Sequence, residues 1–166
     1  YKEFLEAMTY EELKAEENKI KYEPVELGQK IEFEDIKVTC MNSFDASVFD
    51  VNANSLVLHF AIGTMSFMIT GDITDQSLGN MQKYWEDSNL WDIDLIQIPH
   101  HGYLAGITND TLYKLTTPSV AFLDCSRNEY NTNAVNLQEH IKWIEQLKIP
   151  VVKRFEGINE VIIGSK

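Results

Sequence analysis

The spacing of apolar residues changes character along this chain. Over residues 1–21, Phe4, Leu5, Met8 and Leu13 fall near helical spacing on a background rich in Glu, Lys and Ala. That predicts an amphipathic helix, broken near Thr9 and ended by Pro24. The period then shortens to two: Ile31, Phe33, Ile36 and Val38 mark two short strands around a Glu34-Asp35 turn. Residues 42–54 are dense in turn formers and have no helical period, so they form a loop. Two β-prone runs, 55–62 and 64–70, flank Gly63 as a hairpin whose second arm ends at Gly71-Asp72. Asp75 can cap a helix running to Glu86. Residues 93–98 form a continuous apolar strand apart from Asp94 and Gln97, and Pro99 stops it. A short helix over 109–115, a strand over 119–124 and a helix over 134–147 follow. The last of these carries an apolar stripe of Leu137, Ile141, Ile144 and Leu147. Strands over 151–154 and 160–163 close the chain.

Strands and a hairpin first, then alternation of helix and strand, predict an α/β fold of the α+β kind: a mixed sheet covered by helices on one face. At 166 residues the chain makes one domain or a large piece of one. No apolar run reaches the roughly 18 residues of a membrane span, and no signal-peptide pattern begins at Tyr1. The formal net charge of −12 argues against gripping a phosphate backbone by bulk electrostatics. It leaves room for a metal enzyme acting on a phosphodiester, because bound cations supply positive charge locally. Cys40 and Cys125 sit in or after apolar runs without a CxxC partner, as reduced buried thiols do; sequence leaves a disulfide between them open.

Two places have the residue types for chemistry, each at a strand end: Gly71-Asp72-Ile73 and Pro99-His100-His101-Gly102. A carboxylate and an imidazole leaving adjacent strand ends can converge on one ion, since both are ordinary zinc ligands at about 2.0–2.2 Å. Glycine beside each lets the backbone turn sharply. Singly the signals are weak. Gly-Asp after a strand is ordinarily a turn, a His pair after a strand is ordinarily a hydrogen-bonded loop, and two ligands are too few for a catalytic zinc. His59, mid-strand, and His140, on the polar side of the last helix, read as structural or solvent-facing.

Taken in order, the segments are more specific. Asn52-Ala53-Asn54-Ser55-Leu56-Val57-Leu58, then Phe67-Met68-Ile69-Thr70-Gly71-Asp72-Ile73, then Asp94-Leu95-Ile96-Gln97-Ile98-Pro99-His100-His101-Gly102, resemble the C-terminal half of metallo-β-lactamase-superfamily hydrolases. The nearest branch is the one with the hydrolase domain of DNA-uptake competence proteins. The resemblance covers residues 28–166, with 1–27 as a helical lead-in. It implies half of an αββα sandwich whose site lies between the two halves. In that family the first half supplies an HxHxDH motif, absent from this chain, and the second half a bridging Asp and a last His.

Carried over, Asp72 matches the bridging Asp. The superfamily's Pro-Gly-His-Gly pattern puts His101 at the metal position, leaving His100 to line the pocket or touch substrate as a catalytic residue. The implied cofactors are two divalent ions, zinc or manganese, incompletely liganded by this chain. The implied function is part of a metal-dependent hydrolase acting on an ester or phosphodiester, a small molecule among them, with this chain alone inactive. A different class remains beside it: a catalytically inactive structural or dimerisation module of the same fold. One sheet face would pack on the missing half, with Leu56, Leu58, Phe67 and Ile69 contributing, so pairing with the N-terminal half or self-association is expected. The chain departs from its likeness at Tyr103, where relatives have Ser. It departs again at Tyr130-Asn131-Thr132-Asn133-Ala134, where they carry a His, which puts a nuclease-type substrate in doubt.

Overall fold

A computed structural model describes residues 24–157. The expected N-terminal helix and the strand over 160–163 lie outside the described residues. Strands β1 (Lys30–Phe33), β2 (Ile36–Asn42), β3 (Val57–Ile62), β4 (Met65–Ile69), β5 (Leu95–Gln97), β6 (Val120–Leu123) and β7 (Val151–Lys153) form one sheet in sequential order. The pairs from β1 to β4 are antiparallel and those from β4 to β7 parallel. Helices α1 (Asp75–Tyr84), α2 (Thr111–Thr116), α3 (Arg127–Thr132) and α4 (Ala134–Gln146) fill the crossovers. The chain is thus a mixed α/β protein.

The topology explains why the helices among the described residues cover one face of the sheet. A crossover between parallel strands is almost always right-handed. When each successive strand is laid down on the same side of the last, every right-handed crossover falls on the same face. The register follows suit. Met68 and Ile96 pair, as do Ile96 and Ala121, and all three are fully buried under the helices. With Val57, Ile98, Leu123, Leu137, Ile141 and Ile144 they belong to the core. A bulge in β2 between Cys40 and Asn42 turns Met41 into that core, where its carbonyl accepts the Trp85 indole N–H at 3.0 Å.

The opposite face is apolar too. Ile31 pairs with Val38, Val38 with Phe60, Phe60 with Phe67, Phe67 with Leu95, and Leu95 with Val120. None of these belongs to or packs on the core. Ile31 and Phe33 are exposed, as are Leu56 and Ile69 of the hairpin, while Leu58 and Phe67 are half-buried. The Phe60 and Phe67 rings stack at 4.4 Å.

Several local expectations shift. The helix after β4 starts from Thr74, not Asp75: the Thr74 N–H donates to Ser77 Oγ at 3.0 Å, and Asp75 instead accepts from Thr108. The strand expected over 93–98 pairs only from Leu95 to Gln97. Its two polar residues have work at the margin: Asp94 accepts from the Ser66 N–H at 2.8 Å, and Gln97 Oε1 from the Thr70 N–H at 3.1 Å. α3 falls in a stretch with no element expected. Its signal was present, Ser126 and Glu129 forming a capping box in which the Glu129 N–H donates to Ser126 Oγ at 3.1 Å. Both cysteines are free and buried, and burial raises the pKa of each thiol. No helix among the described residues is long and apolar enough to cross a membrane.

Candidate metal centre

The carboxyl ends of β4, β5 and β6 meet at one edge, the place where open sheets with parallel strands present their ligands. Gly71 and Asp72 follow β4, the histidine turn follows β5 and Asp124 follows β6. The His100 N–H donates to the Gly71 carbonyl at 3.0 Å, which ties the first two strand ends together.

His101 projects toward Asp72, with Nε2 3.8 Å from Oδ1. That is beyond hydrogen-bond range. It is close to the separation of about 3.4 Å that two ligands of one tetrahedral zinc would have at ordinary bond lengths. The other ring nitrogen, Nδ1, lies 2.7 Å from the Asp124 carbonyl oxygen. A carbonyl only accepts, so Nδ1 carries a proton, and in the neutral ring Nε2 is the nitrogen left with a lone pair toward Asp72. This is the orientation by an outer partner that metal-binding imidazoles use. Both side chains are partly open to solvent, at 47% and 39% exposure, so further ligands can reach them. The pair fits part of a divalent-ion site. Among the described residues no group of three or more His, Cys, Asp or Glu side chains converges to complete one.

The rings of His100 and His101 contact different groups. His100 is half-buried, 5.8 Å from the Tyr103 ring, and its Nδ1 is buried without a hydrogen-bond partner among the described residues. Gly106 makes room for it: a Cβ there would stand 3.2 Å from that nitrogen and 2.6 Å from the Ile73 carbonyl oxygen. Both histidines hold left-handed backbone, φ 50° and 53°. That conformation costs a residue with a Cβ roughly 1–2 kcal/mol, so the turn needs outside support.

Part of that support was not read from the sequence. Ser55 Oγ accepts the Asp72 N–H at 3.1 Å. Ser55 is in turn delivered by the loop before it: Asn42 Nδ2 donates to the carbonyls of Ala53 at 3.1 Å and Ser55 at 2.7 Å, and Asn54 holds Asp45 and Val48. The Asn52-Ala53-Asn54-Ser55 run is therefore scaffolding for Asp72. Asp124 is anchored from the turn just after β7, its carboxylate accepting from Arg154 at 2.9 Å. The two departures from the resembled pattern touch each other: Asn133 Nδ2 donates to the Tyr103 hydroxyl at 3.1 Å.

His59 is buried mid-strand, and burial lowers its pKa. His140 is not on a polar side of its helix. It is wholly buried, three residues from Leu137 and four from Ile144, in register with the apolar stripe. No protein-family model matches the chain, and no curated protein matches it.

Proposed function

We propose that the chain is the second half of a metallo-β-lactamase-like hydrolase, half of an αββα sandwich, and contributes Asp72 and His101 to a two-metal site that hydrolyses an ester or a phosphodiester. The observation that carries this reading is the 3.8 Å approach of His101 Nε2 to Asp72 Oδ1, with Nδ1 committed to the Asp124 carbonyl. A carboxylate and an imidazole whose Nδ1 is turned to an outer partner are a suitable donor pair for zinc or manganese. Divalent ions would supply a water of lowered pKa and stabilise charge developing on the scissile group. His101 would hold one ion and Asp72 would bridge both. His100, beside the pair and turned toward Tyr103, would contact substrate. Two protein ligands are too few for a catalytic ion, so another segment, packed on the bare face of the sheet, would complete the set.

The test is elemental analysis and turnover of the full-length protein with His101→Ala and His100→Ala. We expect His101→Ala to lose part of the metal, and His100→Ala to keep it and lose turnover. The opposite pattern overturns the assignment. The same bare face favours a second reading, an inactive structural or dimerisation module. Full-length protein that neither retains metal nor hydrolyses any ester or phosphodiester would establish that one.

A further inference from the structure

We propose that His140 is the positioning residue for the Asp72–His101 pair: from the core face of α4 it holds the Gly102 carbonyl and so fixes the left-handed turn from which His101 projects. This deepens the reading above and rests on it for its functional meaning. Its geometry stands separately.

The turn has three anchors besides its own Tyr103 N–H to His100 carbonyl bond of 2.8 Å. One is the His100 N–H to Gly71. Another is His101 Nδ1 to Asp124. The third is the Gly102 carbonyl, 3.0 Å from His140 Nδ1. Because a carbonyl only accepts, His140 must carry its proton on Nδ1, which leaves Nε2 as an acceptor. Tyr113 of α2 meets that need, its hydroxyl lying 2.7 Å from Nε2 and so donating. Both side chains are fully buried, and the chain of bonds runs from α2 through α4 to the turn. Burial holds the imidazole neutral, its pKa pushed down to about 4.

Packing alone does not account for this arrangement. An aliphatic side chain would fill the position between Leu137 and Ile144 without bringing two polar nitrogens that must then be satisfied. Here both nitrogens are satisfied, and one of them by the backbone of the candidate site. The turn is seated directly on α4 as well. A Cβ at Gly102, whose φ is +86°, would stand 2.6 Å from Leu137 Cδ2 and 2.8 Å from Leu123 Cδ1. Glycine lets the turn come close enough for His140 to reach the carbonyl.

The experiment is amide hydrogen exchange and ring ¹⁵N NMR on the full chain, comparing wild type with His140→Leu, His140→Asn and His140→Gln. Asparagine places an amide donor near the Nδ1 position, whereas glutamine restores only the Nε2 side. In His140→Leu and His140→Gln the amides of His100 and Tyr103 should exchange about fivefold faster, the factor expected for one lost hydrogen bond. This is measured relative to the Ile98 amide, which donates to the Phe122 carbonyl of the neighbouring strand β6. In His140→Asn they should stay near the wild-type rate. Unchanged turn amides in a folded His140→Leu, or equal acceleration in His140→Asn, overturn the proposal. Should the variants fail to fold, wild type decides: a proton on Nε2 of His140 excludes the Gly102 bond, and a proton on Nδ1 supports it. Zinc added to wild type tests the metal reading separately. No shift at His101 would defeat that reading, while the amide rates would still decide the role of His140.

Discussion

The two faces of the sheet are built from similar residues and meet different fates. On one, Met68, Ile96 and Ala121 are buried in the core; on the other, Phe60, Phe67 and Leu95 stand half-open and Ile31, Phe33 and Ile69 are exposed. Hydrophobicity does not distinguish them, and connection does. A strand order that never doubles back, with crossovers of the usual right hand, sends every helix among the described residues to one side. A residue's burial among the described residues is decided by which side of its strand it occupies, and we propose that the apolar face left more open takes a partner.

The largest effect should come from truncating matched residues on the two faces. Ile96→Ala removes a fully buried side chain and should cost about 2–5 kcal/mol. Ile69→Ala, at 41% exposure, should cost about 0.5 kcal/mol. Urea unfolding of the full chain measures both. A cost at Ile69 approaching that at Ile96 would mean the second face is covered in solution, and the contrast would be broken.

Acid sharpens the comparison from the covered side. The unfolded chain protonates His140 below its ordinary pKa of 6.5, whereas the folded chain resists until about 4. Stability is therefore complete above pH 6.5 and falls as pH drops toward 4, by about 3 kcal/mol from this residue. His59, lowered by burial as well, adds in the same direction. His140→Asn should flatten this part of the pH–stability profile, which thermal unfolding at several pH values would reveal. An equally steep profile in the variant would place the acid sensitivity elsewhere.

A small change in stability, with a plain change in behaviour, belongs to the more open face. Phe67→Lys should alter folding stability by less than about 1 kcal/mol and should suppress self-association seen by sedimentation velocity as wild type is concentrated. Wild type that stays monomeric at high concentration and binds no hydrophobic dye would remove the need for a partner on that face.

Strands were legible where alternation was strict and the turn chemistry plain, as in the hairpin around Gly63. Helices were legible where a stripe existed, as in α4. What escaped was what depends on partners far along the chain. His140 looked polar because histidine is polar, yet its spacing from Leu137 and Ile144 already put it on the buried side. Asp94 and Gln97 interrupted an apolar run because they bond across strand ends, a fact no local window contains. Of the candidate site, Asp72 and His101 were marked by their neighbouring glycines and shared strand-end position. Ser55, Asp124 and Arg154 carry no such mark, since a serine under an amide or an aspartate lending its carbonyl has no periodicity to betray it.

The sequential order of strands also has a meaning in time. Each strand pairs with the one made just before it, so the sheet can grow strand by strand from its first edge, closing two tight hairpins and then the longer crossovers. The turn bearing His100 and His101 can therefore exist before α4 does. The bond that secures it closes over 38 residues, from Gly102 to His140. On the role proposed for His140, the site's shape would be sketched by the strands during synthesis and fixed when α4 packs against the turn.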